Sequence, residues 1–179
     1  MSIRGRPRTV ALAPLLVLAL GAGCGDDDSA DPTTSTTAAT TTTEDAAAAE
    51  EAAVLAAYEA HWAGFVAAID PPDPDAEALA EHTGGKALED IQTVVRRYEA
   101  EGVAARGDYE LNPRVVHVGA TRATLEDCVI DDLELYLVHS DEVVEPAEGK
   151  PVGFRAELTL EDDTWRVTKL DAAQEVCPQ

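Results

Sequence analysis

At Gly102 the apolar residues change period, from helical spacing before it to alternation after it, which narrows the folds open to this chain. Upstream, Asp45 to Ile69 reads as one long helix. Val54, Leu55, Tyr58, His61, Trp62, Phe65, Val66 and Ile69 share a stripe, with Glu51 and Glu59 outside it. Pro71-Pro72 stops that helix. The spacing predicts a short helix near Ala76 to His82, opened by Asp73 or Asp75 and closed by Gly84-Gly85. A third helix, Lys86 to Glu101, places Leu88, Ile91, Val94, Val95 and Tyr98 on one face and Arg97 opposite, with Gly102 as its C-terminal cap.

Downstream, the candidate strands are Val103 to Arg106 (continuing toward Leu111), Val115 to Val118, Arg122 to Ile130, Leu133 to Val138, Pro151 to Leu160 and Trp165 to Leu170. Gly119-Ala120-Thr121 and Glu161-Asp162-Asp163 have the length and residue types of hairpin turns. Phe154, Ala156, Leu158 and Leu160 alternate with Arg155, Glu157 and Thr159, the pattern of a sheet with one wet face. Helices first and an antiparallel sheet afterwards predict an α+β domain with its N-terminal helices packed on the sheet.

The first residues carry a different message. Arg4, Arg6 and Arg8 precede the eleven-residue apolar run Val10 to Leu20, and Gly21-Ala22-Gly23 leads into Cys24. That layout is a secretory signal, and its order around Cys24 resembles a lipoprotein signal with its lipobox. The run is shorter than the roughly 18–20 residues that span a bilayer as a helix. We therefore expect residues 1–23 to be an export signal and Cys24 to carry lipid, which anchors the chain to the outer face of the cytoplasmic membrane. Residues 24–44 continue as a Thr-rich tether without a large apolar residue, expected to be disordered with a reach of about 25 Å. Residues 45–179 form the domain.

Charge excludes a further class of partner. The chain has 35 acidic and 13 basic residues, for a formal charge of −22, and no Lys/Arg cluster. Nucleic acid is therefore not an expected partner. Beyond Cys24 only Cys128 and Cys177 remain. In an exported chain an even remainder reads as one disulfide; there is no CxxC spacing or clustered histidine for redox or metal work. No GxSxG, phosphate-cradling glycine loop or HExxH is present, so no cofactor or metal is expected.

YEAHWAGF (Tyr58 to Phe65 with its flanks), DPPDPDAEALAEHTGGKAL (Asp70 to Leu88) and the hairpin AELTLEDDTWRVTKLD (Ala156 to Asp171) resemble the nuclear-transport-factor-2-like, or SnoaL-like, cone fold. Asp127-Cys128 with the terminal Cys177 resembles secreted lipoprotein members from high-G+C Gram-positive bacteria. The resemblance covers roughly residues 50 to 177 and implies a curved sheet that wraps the long helix and leaves a conical cavity, with pairing through the sheet into a homodimer. Folds of this kind serve isomerases, dehydratases, ligand binders and interaction modules, so the fold leaves function open.

Two residues are candidates for catalysis. Asp127 shares a strand face with Leu125 and Val129, so an inward Leu125 means an inward carboxylate with a raised pKa, fit for acid–base work. The alternative is a bulge position, or a carboxylate bonded to amides near Asp131-Asp132. His61 stands at the edge of the first helix's stripe, where it is a partner for Asp127, a satisfied core histidine or a half-exposed helix residue. Tyr58 and Trp62 on the same stripe are candidate pocket-lining residues, with core packing as the alternative. A complete catalytic set is not present, which favours a non-catalytic domain that binds a small apolar ligand or an envelope protein. An isomerase- or dehydratase-type enzyme using Asp127 is the rival.

Overall fold

The computed structural model describes residues 41–178. The expected export signal, Cys24 and nearly all of the expected tether lie outside the described residues. Three helices, α1 (Thr41–Ile69), α2 (Glu77–His82) and α3 (Gly85–Glu101), precede six strands: β1 (Val103–Glu110), β2 (Pro113–Val118), β3 (Arg122–Leu137), β4 (Glu142–Glu145), β5 (Lys150–Glu161) and β6 (Thr164–Ala172). The α+β class is as the change of period predicts. α1 starts four residues before the expected Asp45, inside the segment read as tether.

The stripe of α1 is the inner wall of the domain: Val54, Tyr58, His61, Trp62 and Ile69 are buried, while Glu51 and Glu59 are exposed. Gly64 lets α2 cross α1, because a Cβ there would stand 2.6 Å from the Ala78 carbonyl oxygen. Side chains do not cap the start of α2. Asp73 instead accepts the Asp75 N–H at 3.1 Å, one turn earlier. α3 ends as predicted, with Gly102 in the left-handed region (φ 67°) and its N–H bonded to the last carbonyls of the helix.

β3 corrects the sequence reading. The segment read as two strands, interrupted at Asp131-Asp132, is one strand of 16 residues. The two aspartates remain paired, Asp131 with Tyr109 and Lys150, Asp132 with Asp108. The strand stays unbroken because both flanks have partners along its length: β2 and then β1 on one side, β5 and then β4 on the other. β4 itself has no large buried residue and its fully exposed EVVE pattern gave no strand signal.

All pairings between these six strands are antiparallel, and β6 closes the sheet against β5. Register shifts at Val115/His117, Leu135/Tyr136 and Glu157/Leu158 bend the sheet, since an extra residue on one strand increases its local coiling. The β5–β6 connection is a two-residue turn, with Asp162 and Asp163 both at positive φ, the geometry that matches strand twist. α1 packs against β6, β1 and β2, and α3 against β6 and β1. The main core joins Val54, Tyr58 and Trp62 to Leu125, Val129, Leu158 and Val167. A second cluster, around Ile69, Leu79 and Val95, seats α2 and α3.

The C-terminal tail returns to β3. Gly153, opposite Cys128, has no side chain where the Ala173 backbone crosses it. Its carbonyl accepts the Ala173 N–H at 2.7 Å and its N–H donates to Gln174 Oε1 at 3.2 Å. Those bonds deliver Cys177 to Cys128, and the two form a disulfide with Cα atoms 5.0 Å apart.

Candidate functional site

Between α1, α3 and the concave face of the sheet lies a cavity of about 290 Å³. Trp62 and Phe65 line it from α1, Tyr109 from β1 and Phe154 from β5, with Ile91, Val94, Val129, Val152 and Leu170 between them. The rings touch one another: Trp62 lies 4.4 Å from Tyr109 and 5.5 Å from Phe154, and Phe65 stacks on Tyr109 at 6.1 Å, centroid to centroid. Polar groups are few, namely His61, Asp90 and Asp131.

His61 is fixed from behind. Its Nδ1 shares a 2.8 Å hydrogen bond with Thr83 Oγ1, and Thr83 is itself buried in the α2–α3 connection, bridged to Val167. Nε2 has no hydrogen-bond partner although the residue is 1% exposed. Burial alone lowers the His61 pKa to about 4, so the ring is neutral at pH 7. The charge of Asp127 makes no contribution to that shift.

Asp127 is inward and fully buried, as its alternation with Leu125 and Val129 predicts. Its Oδ1 accepts the Asn112 N–H at 2.8 Å, so the carboxylate ties the β1–β2 connection rather than amides near Asp131-Asp132. Oδ2 has no partner, nor do the Tyr58 hydroxyl and Trp62 Nε1. Desolvation raises the Asp127 pKa, opposed by bonds to Asn112 and Cys128 and by the neighbouring Tyr58 hydroxyl. Burial and the Asp127 charge push the Tyr58 hydroxyl far above its ordinary value.

Of the sequence candidates, His61 and Trp62 therefore line the cavity, whereas Tyr58 and Asp127 do not. Tyr58 sits one turn earlier on α1 and packs edge-on to Trp62 at 6.2 Å, inside the main core. Expectation and structure part here for Tyr58 as a lining residue. The other histidines stand apart: His117 and His139 are exposed, and His82 lies beside the Trp165 carbonyl. Trp165 is a core residue whose Nε1 donates to Glu50 at 3.1 Å. No group of three His, Cys, Asp or Glu among the described residues is arranged to hold a metal ion.

Sequence reasoning missed Thr83, Tyr109 and Asp131 as parts of the site. Phe65 and Phe154 were placed on inward faces, but the pattern carried no signal that these faces meet around a space.

No protein-family model and no curated protein matches the sequence. Solved structures do. The intermembrane-space region of the chloroplast protein ARC6 superposes with a TM-score of 0.54 at 20% identity, over 66% of this chain and 92% of that one. An NTF2-like protein with a cystatin-like fold from Novosphingobium aromaticivorans gives 0.45 at 14% identity, over 75% and 87% of the two chains. Hexachlorocyclohexane dehydrochlorinase LinA-type3 from Novosphingobium barchaimii LL02 gives 0.44 at 15%, over 70% and 89%. At such identities the likeness is one of fold, and it agrees with the geometry above. The chain shares with that ARC6 region a fold of helices packed on a bent antiparallel sheet. In this fold α1 is the wrapped helix, and the cavity is the space the bent sheet leaves at its side. A fold by itself assigns no chemistry.

Proposed function

We propose that this chain is an exported domain, held to the outer face of the membrane by lipid on Cys24, whose cavity takes up a small apolar ligand without converting it. One observation carries the ligand half of this reading: the cavity is open and aromatic, and two of its lining residues, His61 and Trp62, each carry a buried ring nitrogen without a hydrogen-bond partner. A volume of about 290 Å³ lies just below the range of drug-sized ligand sites, roughly 300–1,000 Å³, and suits a smaller guest. The Cys128–Cys177 disulfide supports the exported half, because such bonds persist in oxidising compartments. A second copy of the chain or an envelope protein is the further partner this reading admits.

The test is calorimetric titration of the full-length chain with toluene, with fractionation of a Cys24→Ala form alongside. Saturable binding to the cavity and release of Cys24→Ala from the membrane are expected. No heat of binding by folded protein sinks the ligand reading, and unchanged membrane retention sinks the anchor.

A second reading, an isomerase- or dehydratase-type enzyme, draws on the buried Asp127 carboxyl beside Tyr58. Asp127→Asn separates the two, since turnover by an enzyme would vanish while ligand binding in the cavity would stay.

A further inference from the structure

The aromatic content of the chain is low, with only two Phe, four Tyr and two Trp, yet both phenylalanines, one tyrosine and one tryptophan line the same cavity. Ring faces carry negative potential and attract cations, most strongly when water is excluded. The remaining charged groups of the lining are acidic. Asp90 stands on α3 and is paired with Lys86 at 2.5 Å, while Asp131 on β3 is held in no ion pair among the described residues. Asp131 Oδ1 accepts only the nearby Leu133 N–H, at 3.2 Å. No Lys or Arg lines the cavity.

A groove beside the cavity repeats this bias. Tyr109, Asp131 and Val152 also line this groove, of about 160 Å³, which adds Glu145 and Glu148. Its one basic residue, Lys150, is ion-paired with Glu148. A carboxylate or phosphate ligand at the cavity or this groove meets acidic groups and, among the described lining residues, no free cation. An ammonium group meets rings and carboxylates. His61 supplies the inner polar point: buried, neutral in role and bonded through Nδ1 to Thr83, it leaves Nε2 for a polar atom of the guest.

We infer that the cavity selects a small organic cation, an amine or quaternary ammonium on an apolar or aromatic body, and excludes organic anions of the same size. This rests on the ligand-binding reading above and adds its charge. The body sits among Trp62, Phe65, Tyr109 and Phe154, and the cationic end lies toward Asp131. The net charge of −22 adds a long-range attraction for cations that salt screens.

Calorimetry on the full-length chain with three matched probes tests this: benzyltrimethylammonium, benzyl alcohol and phenylacetate. The cation is expected to bind about tenfold more tightly than the alcohol, and phenylacetate most weakly. Asp131→Asn keeps the Oδ1 acceptor for Leu133 but removes the charge; it should weaken the cation about fivefold and leave the alcohol within about twofold. Tyr109→Leu gives an independent check, since loss of one ring should cost the cation more than the alcohol. Equal affinities for cation and alcohol, tighter binding of phenylacetate, or cation affinity indifferent to both substitutions overturns the charge selection and leaves the apolar-ligand reading intact. Silence from all three probes and from toluene, with the protein folded, removes both.

Discussion

Two buried titratable residues face the same interior and respond to acid in opposite directions. His61 has a folded pKa of about 4 against 6.5 when exposed, so its neutral form is fully compatible with the fold above pH 6.5. As pH falls toward 4 the unfolded chain takes up a proton that the native ring refuses, and stability is lost, on the order of 3 kcal/mol at most. Asp127 has a raised pKa, so its penalty is absent in acid and grows as pH rises through the folded value. Chemical denaturation at pH 7 and pH 4.5 should show wild type losing more than His61→Asn, and a loss equal in both would remove the buried neutral ring from the account. For Asp127, Asn keeps the acceptor for Asn112 while discarding a desolvated charge. Asp127→Asn should therefore melt no lower than wild type at pH 8, whereas Asp127→Ala should lose about 1–3 kcal/mol by orphaning the Asn112 N–H. The inward direction of Asp127 was legible from its alternation with Leu125 and Val129. Its partner was not, because Asn112 lies 15 residues away on a connection whose path no periodicity describes. His61 and Trp62 were legible as stripe residues. That one helical turn separates a cavity wall from solid core, and puts Tyr58 on the wrong side of it, depends on where the sheet bends.

At the scale of elements, helices and turns were readable because their signals are local: prolines after α1, Gly102 at the end of α3, Asp162-Asp163 between β5 and β6. β3 was not, because two aspartates resemble a break and only pairing on both flanks keeps the strand whole. β4 was missed for a related reason, since it buries nothing and exists by pairing with β3. Gly153 shows the same dependence on tertiary context. In sequence it is a small residue within a strand; in the fold it is the gap through which the tail crosses. Gly153→Ala would press a methyl against the Ala173 carbonyl, displacing the tail from β5. Thiol titration should then find a larger fraction of Cys128 and Cys177 unpaired than in wild type. An unchanged fraction would show that the tail docks without that gap.

For the molecule as a whole, the disulfide closes a separation of 49 residues, and in the chain-entropy account that constraint is worth about 4 kcal/mol. Reduction should lower the urea midpoint accordingly, and a reduced protein as stable as the oxidised one would leave the staple without a role in stability. Glu126 lies between Arg114 and Arg155 on the outer sheet face, while the aromatic rings of Trp62, Phe65, Tyr109 and Phe154 are turned inward, around the cavity. Ligand uptake therefore depends on that space being a receptacle and not a packing gap. The most direct measurement is a crystal structure of the domain soaked with toluene. The ring is expected between Trp62, Tyr109 and Phe154, with the protein backbone unmoved. Side chains collapsed into the space, or toluene bound only elsewhere, would contradict it.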